Sequence, residues 1–248
     1  GPGAHELAVA VAAELGAVGA NVVTTYGSGE VTRAYLDGHD GDFEAEPAHE
    51  LALLENADAV LSLGGGRNTA ATADVPSPRR QAFDRARTPV REARLASDWV
   101  STQHPTRSLA QQAGMSYEAY RDFVYDAINR DWEAQAEKGA KVTDVLDDAT
   151  EVRVVSGTET DLTMRVDDRV AVNSAASVAY DSHNLPSGEV FTAPFATEGE
   201  VVFDVPMTIN GRRVRDVYLE FEDGRVVDHA AAQGEEAITE VLDTDRGA

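Results

Sequence analysis

A chain of 248 residues, 42% hydrophobic and 26% charged, is long enough to bury one large core or two modest ones. It contains no cysteine, which excludes disulfides and thiolate metal sites, so any metal must be held by Asp, Glu, His or water. The formal net charge of −23 is spread along the whole chain and argues against a nucleic-acid partner, while no apolar run approaches the ~20 residues that span a bilayer. All the basic residues except Lys138 and Lys141 are arginines. A self-repelling acidic surface resists precipitation in strong salt, so the composition reads as that of a halophilic, cytoplasmic protein with no membrane partner.

In chain order, Leu7, Val11, Leu15 and Val18 recur at helical spacing and predict an amphipathic helix over 4–18, ended by Gly19. Asn21–Tyr26 (NVVTTY) reads as a short strand, and Glu30–Leu36 as a helix after the turn at Gly27 and Gly29. Pro47 opens a further helix whose apolar face is Leu51 and Leu54. Asp58–Leu63 (DAVLSL) is a nearly continuous apolar run, the pattern of a parallel strand covered on both faces. Prolines 76, 78 and 89 then punctuate arginine-rich helical pieces, and Ser116 is placed to cap a helix carrying Tyr120, Phe123, Val124 and Ile128. This alternation predicts an α/β domain with a largely parallel sheet over residues 1–145.

The character changes after that point. Glu151–Val155 and Asp161–Val166 read as strands joined by a tight turn, Val201–Val205 as another, and Asn210-Gly211 and Asp223-Gly224 as hairpin turns. Between those turns Val217, Leu219 and Phe221 alternate with Asp216, Tyr218 and Glu220, as on a half-buried antiparallel strand. A last helix after Gly234 groups Ile238, Val241 and Leu242. Residues 146–248 are therefore expected to form an α+β, mainly antiparallel domain, and an incomplete one. Without an initiator Met, and with VLDTDRGA closing the chain on no terminal element, the sequence reads as an internal fragment truncated at both ends.

Several motifs invite chemistry. LGGGRN at 63–68 follows a strand but matches neither GxGxxG nor GxxxxGK[ST], and reads as a sharp exit turn, with phosphate binding as its alternative. Ser182 and His183 beside Asp181 lack a GxSxG elbow, and sequence neighbours do not make a triad. The histidines at 5, 39, 49, 104, 183 and 229 show no HxxxH or HExxH spacing. Glu235 and Glu236 suit the N-terminal dipole of their helix. Glu189 stands apart. It is bracketed by Pro186 and Gly188 on one side and Val190 and Phe191 on the other, so its carboxylate is expected to face a cleft, where a divalent cation is a common partner for a buried acid.

The segment NLPSGEVFTAP at 184–194 resembles the signature of the thermophilic metallo-aminopeptidases, metallopeptidase family twenty-nine. Supporting matches are WVSTQHPTRSLAQQAGMS at 99–116, Gly157 with Thr160-Asp161-Leu162, and the ending GEEAITEVLDTDRGA. The resemblance implies peptidases that release N-terminal amino acids by hydrolysis at two divalent ions (zinc, cobalt, manganese or magnesium), act on peptides and form homodimers. It carries the role of metal ligand to Glu189; Gly188 stands where some relatives have a second Glu. The remaining ligands and the catalytic Tyr of the family have no counterpart within this chain, so no catalytic residue and no further cofactor-binding residue is assigned, and the fragment is expected to be inactive alone. The rival readings are a non-catalytic homologue and a phosphate- or small-ligand-binding α/β domain centred on Gly64–Gly66.

Overall fold

A computed structural model describes the chain except for residues 42, 44–46, 176–183, 210 and 244–248. In chain order its helices are α1 (His5–Ala17), α2 (Gly29–Gly38), α3 (Ala48–Glu55), α4 (Ser77–Ala86), α5 (Thr88–Leu95), α6 (Arg107–Gln112), α7 (Tyr117–Ile128), α8 (Trp132–Asp147) and α9 (Glu235–Leu242). Its strands are β1 (Ala59–Gly64), β2 (Asp98–Gln103), β3 (Glu151–Ser156), β4 (Thr160–Arg165), β5 (Val172–Ser174), β6 (Asn184–Leu185), β7 (Glu189–Phe191), β8 (Phe195–Phe203), β9 (Met207–Ile209), β10 (Arg212–Glu222) and β11 (Arg225–Gln233). They divide into two compact units, Gly1–Asp131 with Asp181–Ser187, and Trp132–Tyr180 with Gly188–Ala248.

The first unit is α/β, with a parallel sheet in the order β1-β2-β6. Three of its helices, α2, α6 and α7, start where the sequence offers a cap. Ser28 accepts from the Val31 amide, Thr106 from Leu109 and Ser116 from Ala119, each satisfying one of the amides a first helical turn leaves free. Leu36 of α2 is buried, and Arg79 of α4 donates to its carbonyl at 2.7 Å and to that of His39, tying α2 to α4.

Two expectations fail in this unit. Asn21–Tyr26 forms no strand, and Val22, Val23 and Tyr26 are exposed. A run of β-branched residues becomes a strand only by pairing, and no described strand lies beside it. Nor is β1 covered on both faces: Leu61 is 42% exposed, and among the described strands β1 pairs only with β2, at the edge of the sheet.

The second unit is antiparallel, as expected for this part of the chain: a sheet in the order β11-β10-β8-β4-β3, with β9 paired to β10, and a separate β5–β7 pair. Asp223 and Gly224, at φ 48° and 77°, form the two-residue turn between β10 and β11. The Asn210-Gly211 signal lies partly outside the described residues, since Asn210 is not among them. Val214, Val217, Ala237 and Ile238 form the core, with Met207, Ile209, Leu219 and Leu242 packed on it. Val214 and Val217 are three apart on one strand yet both buried, because Asp216 at φ 50° interrupts the alternation. On α9 Ala237 takes the inward place expected of Val241, which is 41% exposed.

Across this sheet four carboxylates fall in register: Asp161 on β4 opposite Glu200 on β8, Glu200 opposite Glu220 on β10, and Glu220 opposite Asp228 on β11. Directly opposed like charges destabilise a sheet. Arg153 offsets one end with a two-pronged pair to Asp161 at 2.7 and 2.6 Å. The Tyr218 hydroxyl lies 3.3 Å from both Glu200 and Glu220; partial desolvation and then these carboxylates push its pKa up to about 12.

Candidate metal-ligand segment

The segment 184–191 begins as β6 beside β2, passes a cis Leu185–Pro186 bond, and enters β7 at Glu189. Gly188 lies at φ 99°, a backbone region that side chains other than glycine's rarely adopt, and its amide donates to the Ser174 carbonyl at 2.8 Å. A Cβ there would lie 3.4 Å from Gln135 and 3.5 Å from Trp132, ordinary contacts, so it is the dihedral angle that holds the position to glycine. A Glu at this position would therefore be strained in this chain.

Glu189 pairs with Ser174, Val190 with Asn173 and Phe191 with Val172. The β5–β7 pair rests on α8 through two side-chain bonds. The Ala171 amide donates to Asp147 at 2.8 Å, and Asn173 Nδ2 donates to the Ala136 carbonyl at 2.9 Å. Asn173 Oδ1 is buried against Gly139, where any Cβ would sit 2.3 Å from it. So α8 carries β5, β5 carries β7, and β7 presents Glu189. Sequence reasoning passed over both Asn173 and Gly139, although a glycine in the middle of a helix was the available signal.

The carboxylate itself is exposed, not enclosed in a cleft as expected. Val190 takes the covered side of the short strand, and alternation turns Glu189 to the open side. Among the described residues no donor is within hydrogen-bond distance of it, so its oxygens are available to a cation. Its chemistry fits one hard-oxygen ligand, and one only: no three His, Asp or Glu side chains converge as a metal site among the described residues. Of the described histidines, His104 lies against the Tyr125 hydroxyl at 3.0 Å and His229 against Thr239 at 2.9 Å. Burial raises the Tyr125 pKa. Asp181, Ser182 and His183 fall outside the described residues.

The glycine loop answers to packing. The Gly65 carbonyl accepts from Gly3 at 2.6 Å, and the Gly66 carbonyl accepts from Thr106 at 3.0 Å and Ser108 at 2.7 Å. A Cβ on Gly65 would lie 2.7 Å from the Ala4 amide nitrogen. Pro105, which precedes Thr106, is fully buried.

The family described as thermophilic metalloprotease (M29) matches residues 2–248. Aminopeptidase T of Thermus aquaticus is 43% identical over 67 residues, which is 26% of this chain and 16% of that protein. Aminopeptidase AmpS of Bacillus subtilis (strain 168) is 35% identical over 94 residues, 36% of this chain and 23% of the other. The structure of wild-type AmpT from Thermus thermophilus superposes with a TM-score of 0.77 at 25% identity, covering 95% of this chain and 66% of that one. The matched stretches thus span under a quarter of these two sequence relatives' own lengths. With its fold and its whole length accounted for by one family, the chain belongs to the M29 thermophilic metalloproteases, a metal-dependent family.

Proposed function

We propose that this chain is a segment of a metal-dependent aminopeptidase that releases N-terminal residues from peptides, and that Glu189 supplies one oxygen ligand to a pair of divalent ions. The observation that carries the reading is the exposed Glu189 at the head of β7, which has no hydrogen-bond partner among the described residues, within a chain matched by the M29 family from residue 2 to 248. When bound, divalent ions supply Lewis acidity toward the peptide carbonyl and toward water. The contribution of this chain is orientation: the ladder to Ser174, the Gly188 amide and the clamp of β5 on α8 fix where the carboxylate stands. Zinc, cobalt, manganese and magnesium all accept such a ligand. Homodimer formation, peptide substrates, cytoplasmic residence and adaptation to salt belong to the same proposal.

A single carboxylate does not hold a metal pair, so the 248-residue chain is inactive by itself. The test is hydrolysis of an aminoacyl-nitroanilide with each of the four metals. We expect none from this chain, and turnover from a chain extended to the length of the Thermus relatives. In that extended chain Glu189→Gln lowers kcat/KM by about a hundredfold or more, at least the loss seen when residues supporting a ligand are removed. Unchanged turnover in the variant would remove Glu189 from the site, and turnover by the short chain would overturn the assignment of inactivity.

A further inference from the structure

The strongest concentration of positive charge along the chain falls in the first unit. Residues 79–94 hold six arginines against Asp84 and Glu92, in a chain whose net charge is −23. The helices α4 and α5 and the turn between them line a groove of about 620 Å³, a size suited to a small ligand. Four guanidiniums line it, Arg85 from the last turn of α4, Arg87 from the junction of the two helices, and Arg91 and Arg94 from α5, while Asp84 is its one lining carboxylate among the described residues.

Arg87, Arg91 and Arg94 follow at i, i+4 and i+7 and share one helix face, where like charges oppose one another. The outer two are held. Arg87 pairs with Glu50 at 2.6 Å and lies 5.4 Å from the Phe83 ring, and Arg94 lies 4.5 Å from the Trp99 ring. The pair with Arg87 also lowers the Glu50 pKa. Arg91 is different. It is exposed, it sits between two other guanidiniums, and no described residue accepts from it. The same holds for Arg85 across the groove. Residues at a helix C-terminus gain from the dipole, which explains Arg85 and Arg94 in part, but not Arg91 in mid-helix.

We propose that this groove binds a small polyanion, a molecule carrying at least two phosphoryl or carboxylate groups, with Arg85 and Arg91 as its free forks and the anchored Arg87 and Arg94 at its ends. Guanidinium is suited to this role because its planar donors engage either oxyanion in bidentate fashion. Two flanking guanidiniums already fixed by Glu50 and Trp99 lose little freedom on binding.

The test is calorimetric titration of the 248-residue chain at low ionic strength with pyrophosphate and, separately, with citrate. We expect saturable binding that weakens with added salt, and whichever anion binds more tightly tells phosphoryl from carboxylate ligands. Arg91→Gln and Arg85→Gln each weaken it about tenfold, as expected for loss of one charge-assisted bond. Arg121→Gln, an exposed arginine of the same unit outside the groove, leaves it unchanged. Both groove positions are exposed, and circular dichroism confirms that each variant keeps its fold. Absence of saturable binding by either anion overturns the proposal, as does an equal loss in Arg121→Gln, which would mark a general charge effect.

Discussion

At Gly64–Gly66 main chain meets main chain: carbonyls are taken by Gly3, Thr106 and Ser108, and the crossing leaves no room for a side chain at Gly65. At Gly188–Glu189 the hydrogen bonds lie behind the strand, on Ser174, Asn173 and Asp147, and the front is left open. Both segments invited a functional reading, the glycines only as an alternative to an exit turn and the acid as the chief candidate. The difference teaches what to ask of a motif: whether its polar groups are already consumed by the fold, or supported by the fold and left free.

That contrast is open to measurement. The largest effect belongs to Gly65→Ala, whose new methyl overlaps backbone that has no rotamer to change. We expect a loss of about 2 kcal/mol and a Tm lower by about 4–8 °C in thermal unfolding. A stability equal to that of the parent chain would mean that the crossing at Gly3–Ala4 yields easily. Next comes Gly139→Ala. Helix propensity alone favours alanine by about 1 kcal/mol, but overlap with Asn173 Oδ1 outweighs it, and a net loss of about 1 kcal/mol is expected. In an Asn173→Ala background the same change becomes neutral or stabilising, and a cycle with no such coupling would refute the clamp. Glu220→Gln relieves the carboxylate row and stabilises by a few tenths of a kcal/mol in dilute buffer, a gain that disappears in molar salt. The smallest effect is that of Glu189→Gln, within about 0.5 kcal/mol of the parent, because nothing described in the fold leans on that carboxylate. A larger loss would place Glu189 with the structural residues after all.

What the sequence made legible was whatever is decided locally. The cap at Ser116, the turn at Asp223-Gly224 and the helix after Gly234 depend on a few neighbouring residues, and each forms where expected. NVVTTY misled because a strand is a property of two segments, and the second cannot be read from the first. The exposure of Glu189 was hidden for a related reason: its orientation follows from which face of a three-residue strand β5 and α8 cover. The Asn173–Gly139 fit joins residues 34 positions apart, a packing relation that no periodicity announces. The parallel-then-antiparallel order survived because composition and turn spacing report it over many residues at once.

The row Asp161–Glu200–Glu220–Asp228 has a consequence for how the second unit reaches its structure. Sliding β10 by one residue past its neighbours would separate those charges, but would also carry Val217 and Leu219 away from the core face. The native pairing is thus the apolar optimum held against an electrostatic preference for misalignment. Dissolved ions screen that repulsion, so added salt widens the margin by which the native register is preferred.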